Sequence, residues 1–413
     1  MTGWGPYWVV LGVTAATTLL ATGVWRRLAV RHRLVIPPDE RKVHAVPLPT
    51  LGGVGMVVGF GAGLVTAWGM GDFSEIFAVS TEPVGVALAV LVIHGVGAVD
   101  EVRKSVGSPS YLYDGLSAPA KMAGMVLAGS ILSIAGVTIL HFRVPFGERL
   151  GIGDLFVLSP DLSALVTVVW VIGMANAINF IDGLDGLAAG IVAIASAAFF
   201  LYADLLAGEG LIDPTSFGPL IAVLVLGMCI GFLPWNVHPA KIIMGDNGAL
   251  MLGLLMAAAT ISVGGRTSDP FSGQAYFFYA PLFIPLVILG VPIIDTAASI
   301  IRRAVRGTSP ATADKGHLHH RLMALGHGQW RSVAILWTWT ALLSGFVLYP
   351  AYTGEGDAVV PIGVAALGLA LYTLFHPGVR RAREAAANGD DAGAARDVDG
   401  SGTATASPAS THD

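Results

Sequence analysis

The sequence predicts an all-α, polytopic integral membrane protein with about eleven transmembrane helices, its N-terminus outside and its C-terminus cytoplasmic. Three observations predict it. Only 12% of the 413 residues are charged, while 54% are hydrophobic; an ordinary soluble domain carries about 25% charged residues. The mean hydropathy of the whole chain is +0.70. Apolar runs of near-spanning length recur from end to end, at 4–25, 51–70, 84–99, 119–140, 162–180, 187–207, 217–233, 247–264, 278–297, 332–350 and 359–376.

Orientation follows from Lys and Arg, which collect in cytoplasmic loops. The loops after the first, third and ninth runs, together with Lys241 and the tail, carry nineteen of them. The opposite loops carry only Arg143, Arg149 and Arg266, and Lys121 lies at a boundary. The first run is followed, not preceded, by its positive charges, the reverse of a cleavable signal peptide. The single cysteine, Cys229, excludes an intrachain disulfide. A net charge of -5 with no basic stripe excludes a nucleic-acid partner. Residues 377–413, rich in Ala, Gly, Asp, Ser and Thr, read as a largely disordered cytoplasmic tail.

A transporter places ionisable groups near the membrane midplane. Here they gather instead in the cytoplasmic loops and adjoining helix ends, in five segments. In PPDERKVHAVPLPTLGG (37–53), Arg41, Lys42 and His44 offer cationic donors, and the prolines and glycines stop the helix. In GAVDEVRKS (97–105), adjacent Asp100 and Glu101 suit a hard cation or general-base work. In NAINFIDGLDGLAAG (176–190), Asn176, Asn179 and Asp182 step by three, so on a helix they share one broad face. Such oxygens suit Mg²⁺, and the EF-hand arrangement is excluded because further ligands are missing. In FLPWNVHPAKIIMGDNGALMLG (232–253), Asn236, His238, Lys241 and Asp246 lie between two spans. Asp246 there fits a helix cap or a metal ligand equally. In ADKGHLHHRL (313–322), His317, His319, His320 and Arg321 form a phosphate-binding cluster. Zn²⁺ is the competing occupant, but no cysteine assists and the nearby carboxylates and amides favour Mg²⁺.

Together these parts describe divalent-cation chemistry on a diphosphate at a membrane face. The third segment resembles the NxxNxxDGxDGL motif of the polyprenyl-phosphate N-acetylhexosamine-1-phosphate transferases (glycosyltransferase family 4). WNVHPAKIIMGDNG resembles their FNxxPAxxFMGDxG, the second segment their Asp-Asp pair, and the fifth their HxHH loop. The resemblance spans roughly residues 35–330. HLHHRL is similar to the branch using UDP-GlcNAc, with phospho-MurNAc-pentapeptide translocase more distant. Two departures stand out: Glu101 occupies the second Asp position, and PTLGG (49–53) replaces PRxGG.

The resemblance implies an all-helical membrane-embedded catalytic domain over 1–376, Mg²⁺ dependence (Mn²⁺ as substitute), and release of UMP. It implies transfer of GlcNAc-1-phosphate from UDP-GlcNAc to undecaprenyl or decaprenyl phosphate, with another UDP-sugar such as UDP-MurNAc-pentapeptide as alternative and a flippase as the remote one. Asp246 and Asn179 are implied as metal ligands, and Asp100, Asp182, Asp185, His317, His319 and His320 as catalytic groups. Arg41, Lys42, His44, Asn176, Asn236, Lys241 and Arg321 are implied as substrate contacts. The oligomeric state stays open, with a homodimer among the options.

Overall fold

The structure is a computed structural model that describes residues 3–36, 47–105, 115–143, 155–213, 215–264, 289–305, 322–323, 325–353 and 359–375. Its helices are α1 (Gly5–Arg31), α2 (Gly53–Gly69), α3 (Ser74–Val79), α4 (Glu82–Lys104), α5 (Ala118–Ile134), α6 (Pro160–Ile181), α7 (Leu187–Gly208), α8 (Gly218–Asn236), α9 (Asp246–Gly264), α10 (Gly290–Val305), α11 (Gly328–Thr353) and α12 (Val359–Phe375). Each apolar run of the sequence thus meets a helix, although only the later part of the ninth run lies among the described residues.

Seven of these helices, α1, α4, α6, α7, α8, α9 and α11, are long and apolar enough to cross a membrane. An eighth span results if α2 and the segment Gly71–Val79 are taken together, but the two are bent by 88°. The bend falls at Met70, whose extended backbone (φ -93°, ψ 132°) ends the helical path. Helices α5 and α12 are apolar but shorter. Two short antiparallel hairpins add to the all-helical expectation. One pairs β1 (Val35–Ile36) with β2 (Leu48–Pro49), and the other pairs β3 (His141–Arg143) with β4 (Leu155–Val157). The disordered tail of the sequence reading lies outside the described residues.

Local sequence signals set the helix ends. Proline opens α1, α4, α5, α6 and α8 within the first two positions, where its missing N–H costs nothing. Ser159 caps α6 by accepting from Leu162 N at 3.4 Å. Gly186 (φ +76°) and Gly245 (φ +76°) take left-handed conformations just before α7 and at the start of α9, which a side chain would resist.

Helix α9 is the axis of the bundle. Of its span, 94% is buried, against 22% for α1, as expected of a helix apolar on all sides. It packs on α2, α4, α6, α7 and α8. Small residues allow the closest helix approaches, as is common between membrane helices. Buried Thr22, Thr18 and Thr14 of α1 lie on Gly55, Gly59 and Gly63 of α2 respectively, and Gly227 and Gly231 of α8 also meet α1.

This packing predicts a contrast between two neighbouring glycines. A Cβ at Gly59 would overlap Thr18 Oγ1, whereas at Gly61 it would meet nothing within 4 Å. Overpacking costs about 1–3 kcal/mol, so Gly59→Val should lower the thermal midpoint in detergent by several degrees and Gly61→Val should not. Equal midpoints for the two variants would contradict the α1–α2 interface.

Candidate active site

The C-terminal ends of α1, α4, α6 and α8 and the N-terminal ends of α2 and α9 meet at one end of the bundle. Backbone bonds lace two of the connecting segments together. Ile243 N donates to Pro49 O (2.9 Å), Gly52 N to Ile243 O (3.0 Å) and Gly53 N to Met244 O (3.2 Å). Glycine makes the approach sterically allowed: a Cβ on Gly53 would lie 2.5 Å from Gly248 N, and one on Gly97 would strike the Asn247 backbone. Helix α4 is thereby pressed against the first turn of α9.

That contact brings Asp100, Glu101 and Asp246 together. One oxygen from each lies within 4.8 Å of the others, an arrangement able to hold a metal ion. Asp100 is fully buried and its Oδ1 accepts from Leu116 N at 2.7 Å. Its Oδ2 lies 2.5 Å from Lys104 Nζ and 2.7 Å from Lys121 Nζ. Both ammonium groups also reach Asp246 Oδ2, at 3.6 Å and 2.8 Å respectively. Glu101 accepts from the Thr50 hydroxyl and, through Oε1, from Asp246 N at 3.2 Å.

The 176–190 segment supplies the opposite wall. Asn179 Nδ2 donates to Asp246 Oδ1 at 3.1 Å; rotating that amide would present its oxygen instead. Asp182 ends α6, where its N–H donates to Asn179 O at 3.3 Å. Burial pushes the Asp182 carboxyl well above the usual carboxylate range, and the charges of Asp246, Glu101 and Asp185 add to the effect. A cation between Asp182 and Asp246 would reverse that penalty. The donor set of carboxylate and amide oxygens, without cysteine, fits a hard divalent ion.

Other expected contacts are placed differently. Asn236 is buried, accepting from Gly186 N at 3.0 Å and donating to Ile242 O at 3.0 Å. Its amide therefore ties the third and fourth sequence segments together. Asp185 stays partly exposed and accepts from Ala240 N at 3.1 Å, with His238 Nδ1 at 2.8 Å. Asn176 lies a turn deeper, donating to Ile172 O at 2.8 Å. Lys241 is exposed, its ammonium 5.7 Å from the Trp235 ring, and its carbonyl accepts from Arg26. Arg41, Lys42, His44, His317, His319, His320 and Arg321 lie outside the described residues.

A model of glycosyl transferase family 4 matches residues 83–264, which include Asp100, Asp182 and Asp246. A decaprenyl-phosphate N-acetylglucosaminephosphotransferase from Mycolicibacterium smegmatis is 34% identical over 381 residues, covering 91% of this chain and 90% of the relative. The chain belongs to glycosyl transferase family 4. A Mycobacterium tuberculosis protein of the same name is 35% identical over 369 residues, covering 87% and 88% of the two chains. A phospho-N-acetylmuramoyl-pentapeptide-transferase from M. smegmatis is 30% identical over 364 residues, covering 82% and 94%.

Neither Lys104 nor Lys121 is among the residues that the sequence motifs single out. Lys104 carried a usable signal, since it follows Asp100 by four positions on a helix. Lys121 carried a weaker one: it stands in the first turn of an otherwise apolar helix. Thr50 gave none.

The lysines balance the carboxylates, and a divalent ion can supply the same positive charge. Lys121→Met should therefore lower the thermal midpoint, and added Mg²⁺ should raise it more than in the parent protein, as ligand linkage requires. An identical Mg²⁺ response in both proteins would separate Lys121 from the cation site.

Proposed function

We propose that this chain transfers N-acetylglucosamine-1-phosphate from UDP-GlcNAc to undecaprenyl or decaprenyl phosphate, releasing UMP, at the cytoplasmic face of a cell membrane. The product would initiate a cell-envelope polysaccharide. The observation that carries the reading is the buried Asp100, held by two lysines against Asp246 at the membrane end of α4. The M. smegmatis and M. tuberculosis relatives, both decaprenyl-phosphate N-acetylglucosaminephosphotransferases by name, supply the substrate class.

The chemistry joins an oxygen of the lipid phosphate to the phosphorus that bears the sugar. The bond from that phosphorus to the UMP oxygen breaks, and UMP leaves with the electron pair. Asp100 orients the lipid phosphate and accepts its proton if one remains. Lys104 and Lys121 can turn from the carboxylates to the incoming phosphates, which offer more negative charge at the same place. Asp246, with Asn179 and Asp182, would hold Mg²⁺ or Mn²⁺, which neutralises the diphosphate and steadies charge on the leaving phosphate. Asp185, partly exposed beside His238, is placed to contact the nucleotide on this reading. The three histidines and Arg41, Lys42 and Arg321 supply further phosphate contacts on this reading.

Membranes holding the chain should move radiolabel from UDP-GlcNAc into the organic phase when polyprenyl phosphate is present. Label entering only from UDP-MurNAc-pentapeptide would select the other branch of the family. Asp246→Asn should abolish turnover without unfolding the protein. Asp100→Asn should lose about 10²–10⁴-fold in rate, the usual worth of a general acid or base. EDTA should inactivate, and Mg²⁺ or Mn²⁺ but not Zn²⁺ alone should restore.

The full set of eleven spans rests on the apolar runs, and their orientation on the charge bias. A reporter fused after Lys315 should behave as cytoplasmic and one near Arg266 as external. The reverse pattern would put the site on the side without nucleotide sugars.

A further inference from the structure

Glu101 differs from its two carboxylate neighbours in what its oxygens do. Asp100 and Asp246 both face ammonium groups. Glu101, 4% exposed, instead spans two protein segments: one oxygen accepts from the Thr50 hydroxyl and the other from the N–H that opens α9. That N–H is one of the unsatisfied donors of a helix start, where a carboxylate is favoured by hydrogen bonding and by the helix dipole. Gly245 leaves room for the arrangement, because a Cβ there would lie 2.9 Å from Glu101 Cδ. The backbone bonds between 49–53 and 243–244 bring the same two segments together. Glu101 is the side-chain strut of that junction.

We propose that Glu101 is a positioning residue, which fixes Asp246 by capping α9 and bracing it on Thr50, and is not itself a metal ligand. The inference rests on the transferase reading only for its activity arm. A cap needs an acceptor at the right reach; a carboxylate ligand also supplies negative charge to the cation, which an amide in its place would not. Gln keeps the reach, can accept from Asp246 N and can donate to the Thr50 oxygen. Asp keeps the charge but is one methylene shorter, so it cannot serve both partners.

The test uses the purified full-length protein with Glu101→Gln, Glu101→Asp, Thr50→Val and Thr50→Ser. Mn²⁺ binding is followed by electron paramagnetic resonance, kcat by initial rates, and folding by thermal melts. Glu101→Gln should bind Mn²⁺ within about threefold of the parent, since a cap carries no metal charge. Glu101→Asp should lose kcat by about 10²-fold, the cost of misplacing a reacting group by an ångström, and Glu101→Gln clearly less. Thr50→Val should lower kcat and Thr50→Ser should recover it. A Glu101→Gln protein that binds Mn²⁺ more than tenfold weaker, with Glu101→Asp near the parent, would overturn the proposal and make Glu101 a ligand. If the Glu101 variants do not fold, the Thr50 pair decides, because neither change removes a charge: equal kcat for Val and Ser overturns it. A parent protein without turnover would refute the transferase reading, and the order of Mn²⁺ affinities would still decide the role of Glu101.

Discussion

Three carboxylates and two ammonium groups meet at the mouth of a lipid-embedded bundle, and balancing those charges is the constraint on which the site depends. Burying an unpaired charge costs several kcal/mol even after relaxation. Asp100 is fully buried, and Lys104, Lys121 and the Leu116 N–H supply the positive partners of its two oxygens. The pairing must also be reversible, because a phosphate has to find the cations. A surface location would weaken the pairs to about 0–1 kcal/mol each. A deeper one would hold them too firmly to release. The end of α4, sealed on one side by α9 and open on the other to partly exposed lysines, lies between those extremes.

The closeness of α4 and α9 follows from side chains that are missing. Gly97 lies on the Asn247 backbone and Gly53 on Gly248. Without a hydrophobic driving force inside lipid, helices associate through packing and hydrogen bonds, so small residues decide where backbones touch. Here they decide that the touching point is the first turn of α9. The same helix is the most enclosed span of the bundle. Its first turn, carrying Asp246, is thereby held by the whole fold, while the lysines that face it remain partly exposed and able to move.

Much of the helical pattern was legible because a membrane filters composition: ten of the eleven apolar runs coincide with a described helix to within a few residues, and seven of the described helices, or eight with the bent pair, are long and apolar enough to span. The second apolar run ends at residue 70, where α2 stops and the chain bends, but the short helix α3 beyond it was not legible, since Asp72 and Glu75 interrupt the apolar pattern. The hairpins were missed because strands of two or three residues leave no period to read. At the site, Asn179 and Asp246, which the family resemblance named as one pair, share a hydrogen bond, and Asp100 shares Lys121 with Asp246. Asn236 was legible as important but not as a backbone clamp, because its partners Gly186 and Ile242 are backbone atoms with no side-chain signal. Lys121 was hidden for a different reason. It lies 125 positions from Asp246, and only the tertiary packing of α5 against α4 makes them neighbours.

The two departures from the family pattern turn out to be neighbours as well. Thr50 stands where PRxGG has Arg, Glu101 where the pair has its second Asp, and the two side chains share a hydrogen bond. Read along the chain they looked like independent changes fifty-one positions apart. In space they are one contact, in which a neutral hydroxyl meets the longer carboxylate. A hydroxyl brings no charge to the cluster, so the cations among the described residues that touch these carboxylates are Lys104 and Lys121. Both of those also touch Asp246, which leaves Glu101 to hold its place by hydrogen bonds to Thr50 and to the start of α9. The division of labour among three adjacent carboxylates thus comes from their partners: ammonium groups make two of them responsive to an incoming phosphate, and fixed donors make the third a part of the scaffold.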